Sequence, residues 1–410
     1  MDPVIVNADL HVHGLYSGGV SKNMLPNVIA EQAPLKGLQL IATGDILHGK
    51  WLNLMLENLK VLENGLLEHA NGTKFILQTE VEDSKRAHHI ILFPCLDKVH
   101  ELREEFSKYT TSLDTDGRPK INLSAEEIAE IGNKAECLIG PSHAFTPWTA
   151  IFKEYNSLKE CYGNQTNKVY FLELGLSADT NMADRISELH HVTFISNSDS
   201  HSPWPDKMGR EFNRFQLQDL DFDCIAKALK GNQNNKIVLN AGFNPLEGKY
   251  HKTRCMGCLL FFSLEQARMF NWRCPNCGKP IKKGVADRIE ELADLPSGNH
   301  PEFRPKYLHI IPLSEIIALA LDLNAHAVKV QTLWQKFVSE FGNEITVLVE
   351  KDISELEKLN KEVAKYIGYF RQDKISYLPG GAGVYGKLLK PGEKVEIEKY
   401  LFRQKSLAEF

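Results

Sequence analysis

Short apolar runs alternate with longer amphipathic stretches through the first 245 residues. The runs are Gln39–Thr43, Lys74–Leu77, His89–Phe93, Cys137–Gly140, Val169–Leu174 and Val192–Ser196. Most of them show no alternation of polar and apolar positions, which is typical of strands buried on both faces. Such strands, separated by helices, predict an α/β fold with a largely parallel sheet.

Polar or ionisable residues stand at the ends of several of these runs, or follow similar segments. They are Asp9, Asp45, Glu80, His143, Glu173 and Asp199. In a β/α barrel the C-terminal ends of the strands meet at one face and carry the active site. The pattern therefore predicts that residues 1–245 form a distorted β/α barrel with a functional site at that face.

The pattern changes after this region. Residues 231–248 are rich in Asn and Gly and predict a linker. Helical periodicity marks residues 313–321, 325–341 and 353–371, whereas 344–349 have the pattern of a strand and 378–387 (LPGGAGVYGK) that of a glycine-rich turn. Residues 286–410 are therefore expected to form a mainly helical C-terminal domain.

Two Cys-x-x-Cys pairs lie between these regions, at Cys255 and Cys258 and at Cys274 and Cys277. Four thiolates on two knuckles fill the tetrahedral coordination of Zn²⁺ and leave no open position. In a cytosolic chain this spacing indicates a metal site rather than disulfides. Residues 246–285 are therefore predicted to form a zinc ribbon with a structural Zn²⁺.

The net charge of −5 conceals an uneven distribution. Residues 1–245 carry −9 and residues 246–410 carry +4, and residues 249–288 hold nine basic and two acidic side chains. Phe261, Phe262, Phe270 and Trp272 lie among these basic residues. Basic and aromatic side chains together suit contact with nucleic acid, although the same aromatics could form the core of the ribbon itself.

Composition narrows the class of protein. With 43% apolar and 25% charged residues, the chain has the composition of an ordinary globular protein. No apolar run approaches the roughly 18 residues of a membrane span, and the first residues lack the pattern of a secretory signal. We expect a cytoplasmic protein without a membrane partner.

The segment Asp9-Leu-His11-Val-His13 carries the first metal signal. Residues two apart in a strand point to the same face, so His11 and His13 can bind one cation together. Imidazoles and carboxylates recur near strand-like segments at Asp45, Glu80, His89, His143, Asp199 and His201. Nitrogen and oxygen donors without thiolate suit Zn²⁺, Mn²⁺ or Fe²⁺, and a site with two or three metals suits hydrolysis of phosphate esters.

Residues 5–240 resemble the polymerase and histidinol phosphatase (PHP) family in the order and type of these motifs. The resemblance implies that His11, His13, Glu80 and Asp199 bind one or two metals, with Glu80 bridging. It further implies that His89, His143 and His201 complete the site and that Asp45 contributes from its strand end. The family's His after this Asp is absent, because Ile46 follows Asp45; His48 is either its replacement or a loop residue. His88 is expected to be structural.

The barrel, the ribbon and the PGGxGxYG segment together resemble the endonuclease Q family of DNA repair nucleases. The segments that carry this resemblance are DLHVHGLYSGGVSKNM, TGDILHGKW, PSHAFTPWTAIFKEYNSL and NSDSHSPWPDKMGREFN. The resemblance implies a metal-dependent endodeoxyribonuclease that cuts 5′ of deoxyinosine, deoxyuridine or an abasic site in damaged double- or single-stranded DNA. Two or three divalent ions (Zn²⁺, Mn²⁺ or Mg²⁺) would act with Asp199, Glu80, His201 and Asp45 as catalytic residues.

A cut at a damaged base requires the nucleotide to leave the helix and enter a pocket. The residues predicted to bind substrate follow the ligand-bearing strand ends and are Ser17, Lys22, Phe145, Trp148, Trp204, Arg210 and Phe212. A PHP phosphatase acting on a small phosphomonoester and a DNA-binding subunit with an inactive barrel stay open as alternatives. A sliding clamp is a candidate partner only through a degenerate match at residues 404–410 (QKSLAEF).

Overall fold

The computed structural model describes residues 3–393 and Leu401. Its strands are β1 (Val4–Asp9), β2 (Leu40–Ala42), β3 (Lys60–Val61), β4 (Leu66–Glu68), β5 (Lys74–Ile76), β6 (Gln78–Glu82), β7 (His88–Leu92), β8 (Leu138–Pro141), β9 (Phe171–Glu173), β10 (Thr193–Ile195), β11 (Phe212–Leu217), β12 (Lys236–Gly242), β13 (Arg254–Cys255), β14 (Ile281–Lys282), β15 (Lys306–His309), β16 (Ser376–Leu378) and β17 (Lys387–Leu389).

The α-helices within the same residues are α1 (Pro26–Lys36), α2 (Gly49–Asn58), α3 (Leu96–Ser107), α4 (Ala125–Lys134), α5 (Ile151–Glu154), α6 (Leu158–Tyr162), α7 (Thr180–Ala183), α8 (Phe222–Leu229), α9 (Leu264–Met269), α10 (Val285–Leu292), α11 (Leu313–Leu321), α12 (Val328–Phe341), α13 (Ile353–Leu359) and α14 (Lys361–Arg371). None of the helices in this described part is both long and apolar enough to cross a membrane.

A distorted β/α barrel forms the first part of the chain, as predicted. Strands β1, β2 and β5 are parallel, β6, β7 and β8 form an antiparallel unit, and β9 and β10 are again parallel. The Ala144 amide donates to the Glu173 carbonyl at 2.8 Å and joins the ends of β8 and β9. A parallel bridge between Val12 and Ser200 connects the chain after β1 to the chain after β10, which closes the ring.

Each of the six predicted apolar runs overlaps a strand of this barrel. Their side chains fill the barrel interior on one face and pack against the surrounding helices on the other, because burial on both faces removes their apolar surface from water. Ala8, Ile41, Phe75, Ile90, Phe171 and Phe194 have no exposed surface. The sheet is less parallel than predicted, since the β6–β8 unit and the pairing of β11 with β1 and β12 are antiparallel.

The predicted linker at residues 231–248 was wrong. Strand β12 lies in this segment and pairs with β11 on one side and with β15 on the other. Its buried Asn240 donates to the Phe194 carbonyl at 3.0 Å, so this Asn stabilises the barrel and is not part of a flexible linker. Because β15 belongs to the predicted C-terminal domain, the large sheet of the barrel extends into that part of the chain.

Two further predictions in the C-terminal region were wrong. Residues 344–349, predicted as a strand, end in a π-helix at Thr346–Glu350 whose first amide donates to the Asn343 side chain at 2.8 Å. The single helix predicted over 353–371 is two helices that meet at Asn360. The Asn360 side chain accepts from the Val363 amide at 3.0 Å and caps α14, which starts a new helix.

The ribbon contains β13, β14 and α9. Its small core consists of Cys255, Phe262, Ala267, Cys274 and Ile281, so Phe262 serves the ribbon's own packing. The predicted glycine-rich turn joins β16 to β17. A Cβ atom at Gly381 would lie 2.5 Å from the Lys252 carbonyl, which explains why the turn needs glycine where it meets the chain before the ribbon.

Candidate metal centre

His11 and His13 follow β1, and both side chains are fully buried. The Nε2 atom of His11 lies 3.7 Å from Glu80 Oε1, and that of His13 lies 3.5 Å from Glu80 Oε2. His13 Nε2 is also 3.1 Å from Asp199 Oδ1. The segment after β1, strand β6 and the segment after β10 therefore bring together these four residues, the set that the PHP resemblance implies.

Each of the two imidazoles has a carboxylate behind it. His11 Nδ1 donates to Glu173 at 3.0 Å, and His13 Nδ1 donates to Asp45 at 3.0 Å. Such carboxylates fix the tautomer, so that Nε2 faces the site as an electron-pair donor, and they raise the basicity of the ring. Glu173 was among the polar residues that follow the predicted strands, but it was not among the predicted metal-binding or catalytic residues.

Asp45 does not occupy the predicted ligand position. Its Oδ1 atom accepts from His13, and its Oδ2 atom accepts from the Gly14 amide and from the Ser17 hydroxyl at 2.8 Å. Both oxygens are thus directed at donors behind the ring of His13. The structure makes Asp45 a residue that orients His13, and Ser17, predicted to bind substrate, supports Asp45 instead.

A second group of donors forms around Glu80. His88 Nδ1 and His143 Nε2 each lie 3.1 Å from Glu80 Oε1. A third group consists of His13, Asp199 and His201, where His201 Nδ1 is 3.8 Å from Asp199 Oδ1. Glu80 belongs to two of these groups, so its carboxylate could contribute oxygens to two neighbouring cations.

His89, predicted as a ligand, lies outside the three donor groups, whereas its neighbour His88 belongs to the group around Glu80. In the β6–β7 hairpin Glu82 is opposite His88 and Glu80 is opposite Ile90. Residues opposite each other point to the same face, so His88 shares the face of Glu80 and His89 does not. His89 instead bonds to the Tyr162 hydroxyl at 2.7 Å and to Asp83 at 3.2 Å.

His48, the alternative that the sequence left open, lies outside the three groups. Its side chain accepts from the Trp51 amide and caps α2, and its ring stacks on Tyr16 at 4.5 Å. Arg118, which no sequence motif marks, does reach the centre. Its Nη1 atom is 3.3 Å from Glu80 Oε2, and its side chain is 28% exposed.

Three residues at the centre have a strained backbone. The φ angles of Asp45, His143 and Asp199 are 44°, 29° and 48°, a region that costs an L-residue about 1–3 kcal/mol. Such strain persists only where the surroundings impose it, and it collects at functional sites. Each of the three follows a barrel strand, where the unusual turn directs the side chain toward the centre.

The pKa values of the cluster reflect its charges. Burial by itself lowers the pKa of His11, but the carboxylates of Glu173 and Glu80 outweigh burial and raise it to about 9. Burial raises the pKa of Glu80, but His88 and His11 hold it well below its usual range. The site thus combines charged carboxylates with imidazoles that attract protons, and a cation that binds these nitrogens releases those protons.

The donors fit a metal cluster. Several buried side-chain atoms that could ligate a metal have no hydrogen bond of good geometry to any described residue. They are His11 Nε2, His13 Nε2, Glu80 Oε1, His88 Nδ1 and Asp199 Oδ1. Buried polar atoms are almost always satisfied, so a concentration of unsatisfied electron-pair donors indicates a cation site. The residues that could hold cations are His11, His13, Glu80, His88, His143, Asp199 and His201.

The ribbon holds a separate group of donors. The four cysteine sulfurs lie within 4.8 Å of one another, with Cys255 and Cys277 at 3.4 Å and Cys258 and Cys274 at 3.5 Å. The amide of Lys279 and the neighbouring thiols lower the pKa of Cys277 to about 6, which favours the thiolate. This confirms the predicted four-cysteine metal site.

Comparison with known proteins identifies the family. Over 97% of this chain and 98% of the other, the structure matches the lesion-specific endonuclease PfuEndoQ from Pyrococcus furiosus, with a TM-score of 0.90 and 48% identity. This chain belongs to the endonuclease Q family. An endonuclease Q complex with a 27-mer duplex that has an abasic lesion at the active site matches with a TM-score of 0.91 and 48% identity, over 96% of this chain and 99% of the other.

Two uncharacterized proteins are also similar to this member of the endonuclease Q family. YqxK of Bacillus subtilis is 32% identical over 413 residues, which cover 93% of this chain and 99% of YqxK. MJ0043 of Methanocaldococcus jannaschii is 46% identical over 259 residues, 62% of this chain but only 32% of MJ0043, so the match spans about a third of that protein. The MJ0043 C-terminal domain family matches residues 312–374.

A cavity of about 930 Å³ opens beside the metal centre of this endonuclease Q family member. His88, Arg118, His143, Asp199 and His201 lie at its inner side. The lining also includes Trp148, Lys207, Arg210 and Lys249 beside several small polar residues. Of the predicted substrate-binding residues, Trp148 and Arg210 thus face the cavity.

The other predicted substrate-binding residues lie elsewhere. Phe212 is fully buried in β11, and Phe145 is buried against Phe152 with ring centroids 4.9 Å apart, so neither lines the cavity. Lys22 and Trp204 are exposed but outside the cavity lining. The sequence pattern did not distinguish aromatic residues that pack in the interior of the barrel from those that face the cavity.

Proposed function

We propose that this protein is a DNA repair endonuclease that hydrolyses the phosphodiester 5′ of a deaminated base or an abasic site. The observation that carries the proposal is the concentration of metal donors at one side of a large basic cavity. It occurs in a chain that is 48% identical over nearly its full length to an endonuclease crystallised with abasic DNA.

Seven residues would hold the metals: His11, His13, Glu80, His88, His143, Asp199 and His201. When bound, two or three divalent ions such as Zn²⁺, Mn²⁺ or Mg²⁺ supply an activated water and stabilise the departing 3′-oxygen. Asp45 and Glu173 keep the rings of His13 and His11 in position through their Nδ1 atoms. In the ribbon the four cysteines would bind a structural Zn²⁺.

Arg118 would bind the scissile phosphate. Its guanidinium lines the cavity beside Glu80, and Arg118 is not part of any of the metal-binding groups. A planar guanidinium can donate two parallel hydrogen bonds to a phosphate and offset the charge that develops during hydrolysis. Replacing Arg118 with Met is expected to lower kcat by about 10²–10³-fold. The exposed Arg86, which pairs with Glu82 on the same hairpin, provides the matched Arg86→Met control.

The remaining cavity would receive an extrahelical nucleotide. Trp148 offers an aromatic face, and Lys207 and Lys249 offer positive charge at the lining. Arg210 is held by the Ser198 carbonyl at 3.1 Å and by the Tyr385 hydroxyl at 3.2 Å, so the glycine-rich turn of the C-terminal region contributes to this wall. Flipping a nucleotide into such a pocket gives access to its phosphate and its base edge.

The decisive assay uses end-labelled duplexes with deoxyinosine, deoxyuridine, an abasic site or no lesion, incubated with Mg²⁺ or Mn²⁺ and with an EDTA control. We expect one metal-dependent nick 5′ of the lesion and none in the undamaged duplex. Release of phosphate from a small monoester, without any nick, would replace the proposal with the phosphatase alternative. Asp199→Asn should abolish nicking while DNA binding remains; unchanged nicking would mean that the barrel is not the catalyst.

A further inference from the structure

A second groove lies between the barrel and the zinc ribbon. It has a volume of about 510 Å³, which is within the range of small-molecule sites. The barrel side contributes Phe145, Pro147 and Lys153, and the ribbon side contributes Trp272 and Lys282. Among the described residues that line the groove, none belongs to the metal centre, and Phe145 is the one predicted substrate-binding residue.

The groove and the active-site cavity share one wall. Along the chain, Phe145 and Pro147 line the groove, whereas Thr146 and Trp148 line the cavity. Residues 145–148, which form turns after β8, therefore lie between the two spaces. Lys282 of the ribbon places its Nζ atom 3.6 Å from the centre of the Trp148 ring, so the ribbon is in direct contact with the active-site wall.

The lining of the groove has a net positive charge. Its lining includes Lys153, Lys282, Lys283 and Arg288 but only one carboxylate, that of Glu154. Lys283 and Arg288 pair with Glu291, and Lys153 pairs with Glu154, whereas Lys282 has no acidic partner within 4 Å among the described residues. Partial burial and the nearby charge of Lys153 lower the pKa of Lys282. An anion between the two lysines would relieve this repulsion.

The ribbon side of the groove also presents an aromatic ring. Trp272 is partly exposed, and Lys283 lies 5.3 Å from the centre of its ring. Arg288 donates to the carbonyls of Phe152 at 2.7 Å and Tyr155 at 3.0 Å, which fixes the helix after the ribbon to the barrel. Cationic side chains beside an aromatic face can bind a phosphate and stack the adjacent base.

We propose that this groove binds one nucleotide of the substrate DNA next to the flipped residue, with its phosphate between Lys153 and Lys282 and its base against Trp272. The inference rests on the proposed endonuclease function and extends it: the zinc ribbon holds the DNA strand at the wall of the active site. The occupant is a segment of the DNA strand because the wall that it touches also lines the active-site cavity.

The test measures binding of an abasic duplex to proteins that also carry Asp199→Asn, which prevents turnover. Lys282→Met keeps the length and apolar stem of the side chain and removes its charge. We expect affinity to fall about tenfold and the slope of log K against log salt to decrease by about one. Lys230→Met is the matched control, because Lys230 also lies over an aromatic ring, 5.2 Å from that of Tyr170, but outside the groove and the cavity.

Duplexes with a single methylphosphonate identify the phosphate. One position near the lesion should weaken binding to the protein with Lys282 and have no further effect on Lys282→Met. Lys153→Met should also bind more weakly than the wild type and should also be unaffected by the methylphosphonate at that position. This second variant keeps the test valid if Lys282→Met lowers zinc content or thermal stability. Equal binding by Lys282→Met, Lys153→Met and Lys230→Met, while the wild-type protein still nicks the abasic duplex, would overturn the groove alone. A wild-type protein that neither binds nor nicks lesion DNA would overturn both proposals.

Discussion

Replacing Glu173 with Gln tests whether the carboxylate behind His11 controls the metal centre. Glu173 is fully buried and accepts three hydrogen bonds: from His11 Nδ1 at 3.0 Å, from the His143 amide at 2.7 Å and from Asn197 Nδ2 at 2.8 Å. The last two donors face different carboxylate oxygens. Asn197 cannot turn its amide round, because its Oδ1 atom already accepts from the Leu10 amide at 3.0 Å.

A glutamine has only one oxygen, so in either orientation its NH₂ group faces another donor. Leaving a buried donor unsatisfied costs about 1–3 kcal/mol of stability. The larger consequence is for the metal, because removal of the carboxylate lowers the basicity of His11 and loosens its orientation. Loss of such a partner lowers metal affinity by about 10–100-fold, equivalent to about 1.4–2.7 kcal/mol.

The assay is a Mn²⁺ titration of chelator-treated protein, read as bound metal and separately as nicking rate on an abasic duplex. Glu188→Gln is the matched control: Glu188 accepts from the amides of Leu158 and Lys159 at 2.9 and 3.0 Å, away from the metal centre. Glu188→Gln should cost stability without shifting the titration. If folded Glu173→Gln protein binds Mn²⁺ like the wild type, the assigned role of Glu173 is refuted.

Three further outcomes are expected. His88→Ala should weaken Mn²⁺ binding by at least tenfold and His89→Ala should not, and the reverse result in a metal titration would contradict the hairpin register. Lys36→Met should destabilise the protein by about 3–5 kcal/mol in denaturant unfolding, because it leaves the Glu344 carboxylate, 2.7 Å from the Lys36 amine, buried without its charge partner. Adding Glu344→Gln should restore part of the lost stability. If the effects of the two substitutions simply add, the two side chains do not stabilise each other. Cys274→Ser should reduce zinc content and weaken DNA binding, whereas unchanged values of both would contradict a structural role of the ribbon.

The predicted sliding-clamp contact at residues 404–410 lies outside the described residues and stays a prediction. The predicted domain boundaries at residues 245 and 285 also stay predictions. The pairing of β12 with β15 nevertheless shows that the barrel sheet includes a strand from beyond the ribbon.

The sequence by itself determined the features that depend on neighbours along the chain. The barrel strands are visible as apolar runs because burial on both faces imposes a local pattern. The two Cys-x-x-Cys pairs and the His-x-His segment are visible because tetrahedral coordination and strand pleating require those spacings. These signals were sufficient for the fold class, the ribbon metal site and most of the donors around Glu80.

Only the tertiary structure decided which side chains meet across strands. His88 faces Glu80 and His89 does not because of the register of one hairpin, and a shift of one residue would exchange them. Glu173 and Asp45 stand behind His11 and His13 because of which strands are neighbours in the closed barrel. Arg118 reaches Glu80 from a loop without any pattern of its own. Contacts of this kind join residues far apart in the chain, so their chemistry follows from the packing of the barrel and not from any local spacing.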